Sequence, residues 1–147
     1  CRRGRATGSF SGDFMRDDLP LAGVRVLVME DEPLIAMDIE QLCREHGASE
    51  VLLVHALDKA DQAFAESLCF DAGILDVALA GSSTLDFARR LLAAGIPFVF
   101  ATGQTDADGM FDDFPGVAVI GKPYAGSRLI AALAAALAQD RPVSGGV

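Results

Sequence analysis

Five short apolar runs alternate with segments of helical periodicity from Gly23 onward, and this alternation restricts the chain to one class of architecture. Residues 24–29, 51–54, 70–75, 96–101 and 117–120 are short, partly β-branched runs of the kind that form parallel strands covered on both faces. After the first run, Pro33 suits an opening helical turn, with Asp31 or Glu32 placed to cap it. Ile35, Ile39 and Leu42 then recur at helical spacing, and Gly47 stops the helix. Residues 57–66 predict a second helix with Ala60, Ala63 and Phe64 inward. Ser82, Ser83 and Thr84 offer caps for a third, in which Phe87, Leu91 and Leu92 pack and Gly95 terminates. Residues 104–114 predict only a short or mobile helix, because they hold four aspartates and Gly109, and only Met110, Phe111 and Phe114 can anchor them. Residues 127–139 repeat Leu129/Ile130, Leu133 and Leu137, an amphipathic helix. The chain therefore reads as an α/β, (βα)₅ doubly wound parallel sheet in three layers, with right-handed crossovers and strand order 2-1-3-4-5. Its topological switch point falls between the first and third strands.

The length of 147 residues suits one such domain. We expect residues 1–20 to be a poorly ordered extension, 21–140 the domain and 141–147 a flexible tail. The net charge of −9 is uneven: beyond residue 22 there are eight Lys/Arg against eighteen Asp/Glu. That acidity argues against a nucleic-acid partner, since phosphate backbones attract basic faces. Arg2, Arg3 and Arg5 read as a linker or solvated terminus. No apolar run approaches the roughly 20 residues that cross a bilayer, and the N-terminus lacks the apolar segment of a secretory signal. Cys1, Cys43 and Cys69 are too widely spaced for a zinc site or a disulfide framework, so a cytoplasmic location is expected.

Chemistry collects at one edge of the expected sheet. Glu30 and Asp31 follow the first run, Asp76 the third, Thr102 the fourth and Lys122 the fifth. In open α/β sheets, ligands bind outside these carboxyl ends. Three carboxylates against one ammonium leave the cluster anionic, and crowded carboxylates raise one another's pKa unless a cation balances them. All-oxygen ligation favours Mg²⁺ or Mn²⁺ over zinc. Asp76 alone ends a central strand before a run of small residues, 77–81, that leaves room for a phosphoryl group. An aspartate can attack phosphorus to give an acyl phosphate, with Lys122 and the Thr102 hydroxyl neutralising the equatorial oxygens. His46 and His55 read as surface or satisfied histidines. Residues 116–122 fit G-x-x-x-x-G-K, but their middle is a strand and Pro123 replaces the Ser/Thr of a nucleotide-binding loop.

The same residues resemble the receiver domains of two-component response regulators. Val-Leu-Val-Met-Glu-Asp-Glu-Pro (26–33) is similar to their acidic motif, and Leu-Asp-Val-Ala-Leu-Ala-Gly (75–81) to the phosphoacceptor motif. Ala-Thr-Gly (101–103) resembles the switch threonine, and Gly-Lys-Pro-Tyr (121–124) the lysine with its proline. Together these span residues 23–139. The resemblance implies a flavodoxin-like fold and a signalling phosphoacceptor rather than an enzyme. Asp76 would be phosphorylated by a histidine kinase or histidine phosphotransfer protein, and Glu30, Asp31, Asp76 and the Ala78 carbonyl would hold Mg²⁺. Thr102 and Lys122 would turn toward the phosphoryl group. It further implies an unidentified downstream protein partner, a dimer through the surface of residues 104–114, 117–120 and 127–139, and no nucleic-acid or membrane partner. Phe-Ala-Thr-Gly (100–103) is similar to a stand-alone subgroup that places a tyrosine in the next loop, where this chain has Gln104-Thr105. Receivers usually carry Tyr or Phe three residues before the lysine, where this chain has Val119; Phe111, Phe114 or Tyr124 are the candidates to replace it. Two rival readings are a pseudo-receiver interaction module and an aspartyl-phosphate hydrolase of the haloacid-dehalogenase type, whose D-x-D lies on the first strand.

Overall fold

A computed structural model describes residues 19–65, 70–79, 81–103, 111–122 and 125–140. The proposed extension up to residue 18, Cys1, Cys69, the side chains of Ala63 and Phe64, residues 104–110, Pro123, Tyr124 and the tail from 141 lie outside them. Within them the chain runs β1 (Arg25–Met29), α1 (Pro33–Glu45), β2 (Glu50–Val54), α2 (Leu57–Ala65), β3 (Ala72–Leu75), β4 (Ala78–Leu79), β5 (Ser82–Ser83), α3 (Leu85–Ala94), β6 (Phe98–Thr102), β7 (Val119–Gly121) and α4 (Gly126–Asp140). The main sheet has five strands in the order β2-β1-β3-β6-β7, all parallel. This is the expected 2-1-3-4-5 order, because β4 and β5 stand apart as a two-stranded antiparallel sheet.

Side chains alternate across each strand, so the sheet builds two cores. Leu27 and Met29, Leu75, and Phe98 and Phe100 face one side, packed with Ala60 of α2 and Phe87, Ala88 and Leu91 of α3. Val26 and Val28, Ala72 and Ile74, and Val99 and Ala101 face the other, packed with Ile39 and Cys43 of α1 and Leu129, Ile130 and Leu133 of α4. Sheet and helices thus form the three layers of a flavodoxin-like fold. Leu21, fully buried, seals the second core from the turn before β1, and its amide donates to the His46 carbonyl.

Several local expectations are corrected. Glu32 is the N-cap of α1, but its side chain makes no capping bond. The buried stripe of α1 is Ala36, Ile39 and Cys43; Ile35 and Leu42 lie at its half-buried margin. Leu92 of α3 is 48 % exposed, because Phe87, Ala88 and Leu91 define the inward face. In the run of small residues after Asp76, Ala78 pairs with Ser83 and Leu79 with Ser82, with Gly81 at φ 84°; Ala80 lies outside the described residues. Residues 111–113 form a turn rather than the end of a helix, although Phe111 and Phe114 are buried and anchor it as expected. Gly95 ends α3 in the left-handed region, as its sequence position predicts.

Candidate functional site

Glu30, Asp76 and Lys122 each sit one residue past a strand of the main sheet, and a backbone bond to a neighbouring strand fixes them there. The Glu30 amide donates to the Val54 carbonyl at 3.1 Å, the Asp76 amide to Met29 at 3.0 Å, and the Lys122 amide to Thr102 at 2.9 Å. The parallel ladder therefore continues one residue past β1, β3 and β7 and delivers three ionisable side chains to the same edge. Their convergence follows from strand order alone, since β1 and β3 are adjacent and β6 and β7 lie beside them.

Lys122 is the hinge of the cluster. Its Nζ donates to Glu30 Oε1 at 2.7 Å and to Asp76 Oδ2 at 3.0 Å. Glu30 is 2 % exposed, and its other oxygen accepts the Glu32 amide at 3.2 Å. Burial alone would push the Lys122 ammonium to a lower pKa, but the hydrogen bonds and charges of Glu30 and Asp76 outweigh it and hold the pKa above its ordinary value. Thr102 is buried at the end of β6, sharing the rung with Lys122 through its carbonyl. Among the described residues no buried side-chain nitrogen or oxygen lacks a partner.

Glu30, Asp31 and Asp76 each bring a carboxylate oxygen to a common point, all within 4.8 Å of one another. The three differ in access: Glu30 is buried, Asp76 half-buried and Asp31 exposed. This donor set is all oxygen and anionic, and it fits a hard divalent cation. Both Glu30 oxygens accept hydrogen bonds, from Lys122 and from the Glu32 amide, and Asp31 and Asp76 are the more solvent-accessible ligands. Ala78 lies two residues beyond Asp76, at the start of β4.

Two further residues, His55 and Thr84, border the site. His55 Nδ1 lies 3.0 Å from the Glu30 carbonyl, so that nitrogen carries the proton and the histidine is satisfied, as expected, but at the site's wall. Thr84 is fully buried, and its hydroxyl donates to the carbonyls of Asp76 at 2.5 Å and Val77 at 3.0 Å. Cys43 plays no part in the site: burial pushes its thiol up to about 12, against a small opposing effect of Arg44, and keeps it unreactive.

No protein-family model matches the chain, and no curated protein does. Solved structures do. The response regulator PhyR from Brucella abortus is 29 % identical with a TM-score of 0.71, the match covering 86 % of this chain and 52 % of PhyR. This chain thus spans about half the length of that relative. A response regulator receiver protein from Sinorhizobium medicae WSM419 shares the fold at 22 % identity and a TM-score of 0.72, covering 81 % of this chain and 98 % of that one. SdrG from Sphingomonas melonis Fr1 is 37 % identical with a TM-score of 0.63, covering 76 % of this chain and 96 % of SdrG. With that relative spanned almost from end to end, and with response regulators as its structural neighbours, the chain belongs to the response regulator receiver family.

Proposed function

We propose that this chain is a phosphoacceptor of a two-component system, with Asp76 as the residue modified. The observation that carries the reading is the Lys122 ammonium bridging Glu30 and Asp76 at a sheet edge that also gathers three carboxylates. An Asp76 carboxylate oxygen attacks phosphorus, and the phosphorus bond to the donor breaks with its electron pair leaving on the donor. The donor is a phosphohistidine of a histidine kinase or histidine phosphotransfer protein. Asp76 loses its charge on becoming the acyl phosphate, so the Lys122 ammonium transfers its attraction from the carboxylate to a phosphoryl oxygen. The Thr102 hydroxyl, one rung away, supplies a donor to a second. Glu30, Asp31 and Asp76, together with the Ala78 carbonyl, are the groups that would hold Mg²⁺. Held by these residues, Mg²⁺ would supply positive charge against the phosphoryl oxygens.

In this reading the chain is a signalling protein rather than an enzyme of metabolism, and it works in the cytoplasm, where such donors act. No helix among the described residues is long and apolar enough to cross a membrane. Its output is contact with a downstream protein, a second copy of the chain being one such contact through the surface of residues 111–121 and α4. Phe-Ala-Thr-Gly (100–103), at the end of β6, supports reading it as one of the subgroup that carries this motif.

Acetyl phosphate with Mg²⁺ should label the wild-type chain and not Asp76→Asn; equal labelling of both would remove the assignment. One observation favours a second reading. Half-buried Val119 stands where receivers place an aromatic, as it would in a pseudo-receiver that serves only as an interaction module. In that case beryllofluoride with Mg²⁺ would leave the amide NMR spectrum unchanged. Turnover of a small phosphate monoester would favour an aspartyl-phosphate hydrolase instead.

A further inference from the structure

Thr84 stands at the N-cap position of α3, yet its side chain makes no capping bond there. A threonine at that position ordinarily turns its oxygen toward the amides of the first helical turn. Here Ser83 takes that role, its Oγ accepting the Leu85 amide at 3.1 Å. The Thr84 hydroxyl points back along the chain and shares its proton between the carbonyls of Asp76 and Val77. Its amide donates to the same Val77 carbonyl at 2.8 Å, and its own carbonyl accepts the Ala88 amide at 2.9 Å. One fully buried residue therefore joins the loop after β3 to the first turn of α3.

The consequence falls on Asp76. Its amide is held by Met29 of β1 and its carbonyl by Thr84, so both polar groups of its backbone are anchored, one on the sheet and one on the helix. The direction in which a side chain leaves the backbone follows from the orientation of those two peptide planes. In-line attack tolerates little error in that direction. Within the same segment, Ala78 pairs with Ser83 and Leu79 with Ser82, so strand pairing and the Thr84 bonds both tie the chain after Asp76 to the start of α3.

From this geometry we infer that Thr84 is a positioning residue for phosphoryl transfer, acting through the Asp76 backbone. The inference rests on Asp76 being the phosphoacceptor. Initial rates of labelling by acetyl phosphate with Mg²⁺, expressed per folded molecule from circular-dichroism unfolding curves, test it on the full chain. Thr84→Val keeps the shape and loses the hydroxyl, Thr84→Ala loses both hydroxyl and methyl, and Thr84→Ser keeps the hydroxyl. The folded Val and Ala variants should label roughly tenfold slower or worse, as a displaced reacting group does, and Thr84→Ser should stay within about twofold of the wild type. Wild-type rates in the folded Val or Ala variant would overturn the inference. So would a Ser variant as slow as they are, or failure of both hydroxyl-free variants to fold, since either makes Thr84 a support of the fold only. If the wild type itself is not labelled, or Asp76→Asn labels as the wild type does, the phosphoacceptor reading has failed and this inference falls with it.

Discussion

Lys122 is the residue on which the site's electrostatics turn. Truncating it leaves Glu30, buried to 2 % exposure, beside Asp76 without the ammonium that both share. Lys122→Ala should therefore destabilise the fold by about 1.5–3 kcal/mol, the range for a lost hydrogen bond to a charged group, measured by urea unfolding at pH 7. The sign of the pH dependence follows from the raised pKa. A lysine bound more tightly to its proton in the folded state contributes fully below its ordinary value of 10.5, and that contribution is lost as pH rises through the folded value. The wild type should lose stability above about pH 10.5, and Lys122→Met should lack that part of the fall. Equal alkaline slopes in the two would show that the bridge does not form. Glu30, Asp76 and Lys122 were legible in the sequence because each ends an apolar run, and a run is a strong signal. Thr84 was not, because its partners lie eight and seven residues back across residues 78–83, a stretch of small residues with no periodicity.

At the scale of the element, what the sequence hides is rotation. In α3, Leu91 and Leu92 are equivalent by composition, but Leu91 shares a face with Phe87 and Ala88, whereas Leu92 is turned outward. Leu91→Ala should cost about 2–5 kcal/mol, as a core truncation does, and Leu92→Ser within about 0.5 kcal/mol. Comparable losses in thermal unfolding would contradict the observed register. The turn after α1 carries a stricter demand. Gly47 has φ +105°, and a Cβ there would sit 2.8 Å from the Ala22 Cα, so both conformation and space exclude a side chain. Gly47→Ala should destabilise by on the order of 1–3 kcal/mol and loosen the turn that holds Leu21 on the second core; amide exchange at Leu21, bonded to the His46 carbonyl, reports it. Gly47 was legible as a helix stop, but its contact with residues 19–22 was not, because those residues show no pattern of their own. The aromatic group behind β6 was half legible: Phe111 and Phe114 were named as anchors, and the structure sets their rings 5.0 and 5.3 Å from Phe100. The partner Phe98, 6.0 Å from Phe114, completes the packed set.

At the scale of the molecule, the strand order sets β1 beside β3, and three carboxylates collect where those two strands end. Strand order was readable because run length and helix periodicity leave little choice for five parallel strands. The difference in access between Glu30 and Asp31, adjacent in sequence, was not, since it depends on how the strand end meets β2 and α1. That difference has a thermodynamic consequence. Exposed Asp31, half-buried Asp76 and buried Glu30 bring carboxylate oxygens within 4.8 Å of one another, so a divalent cation has oxygen ligands in the folded chain that the unfolded chain does not hold together. Binding must then stabilise the fold, by about 2.7 kcal/mol at a hundredfold excess over Kd, which is on the order of 10 °C in Tm for a domain of this size. Mg²⁺ should raise the Tm, a chelator should reverse the rise, and Asp31→Asn and Asp76→Asn should each shrink it. A Mg²⁺-dependent shift of equal size in the wild type and both variants would place the cation elsewhere on this acidic surface and separate the carboxylate cluster from metal binding.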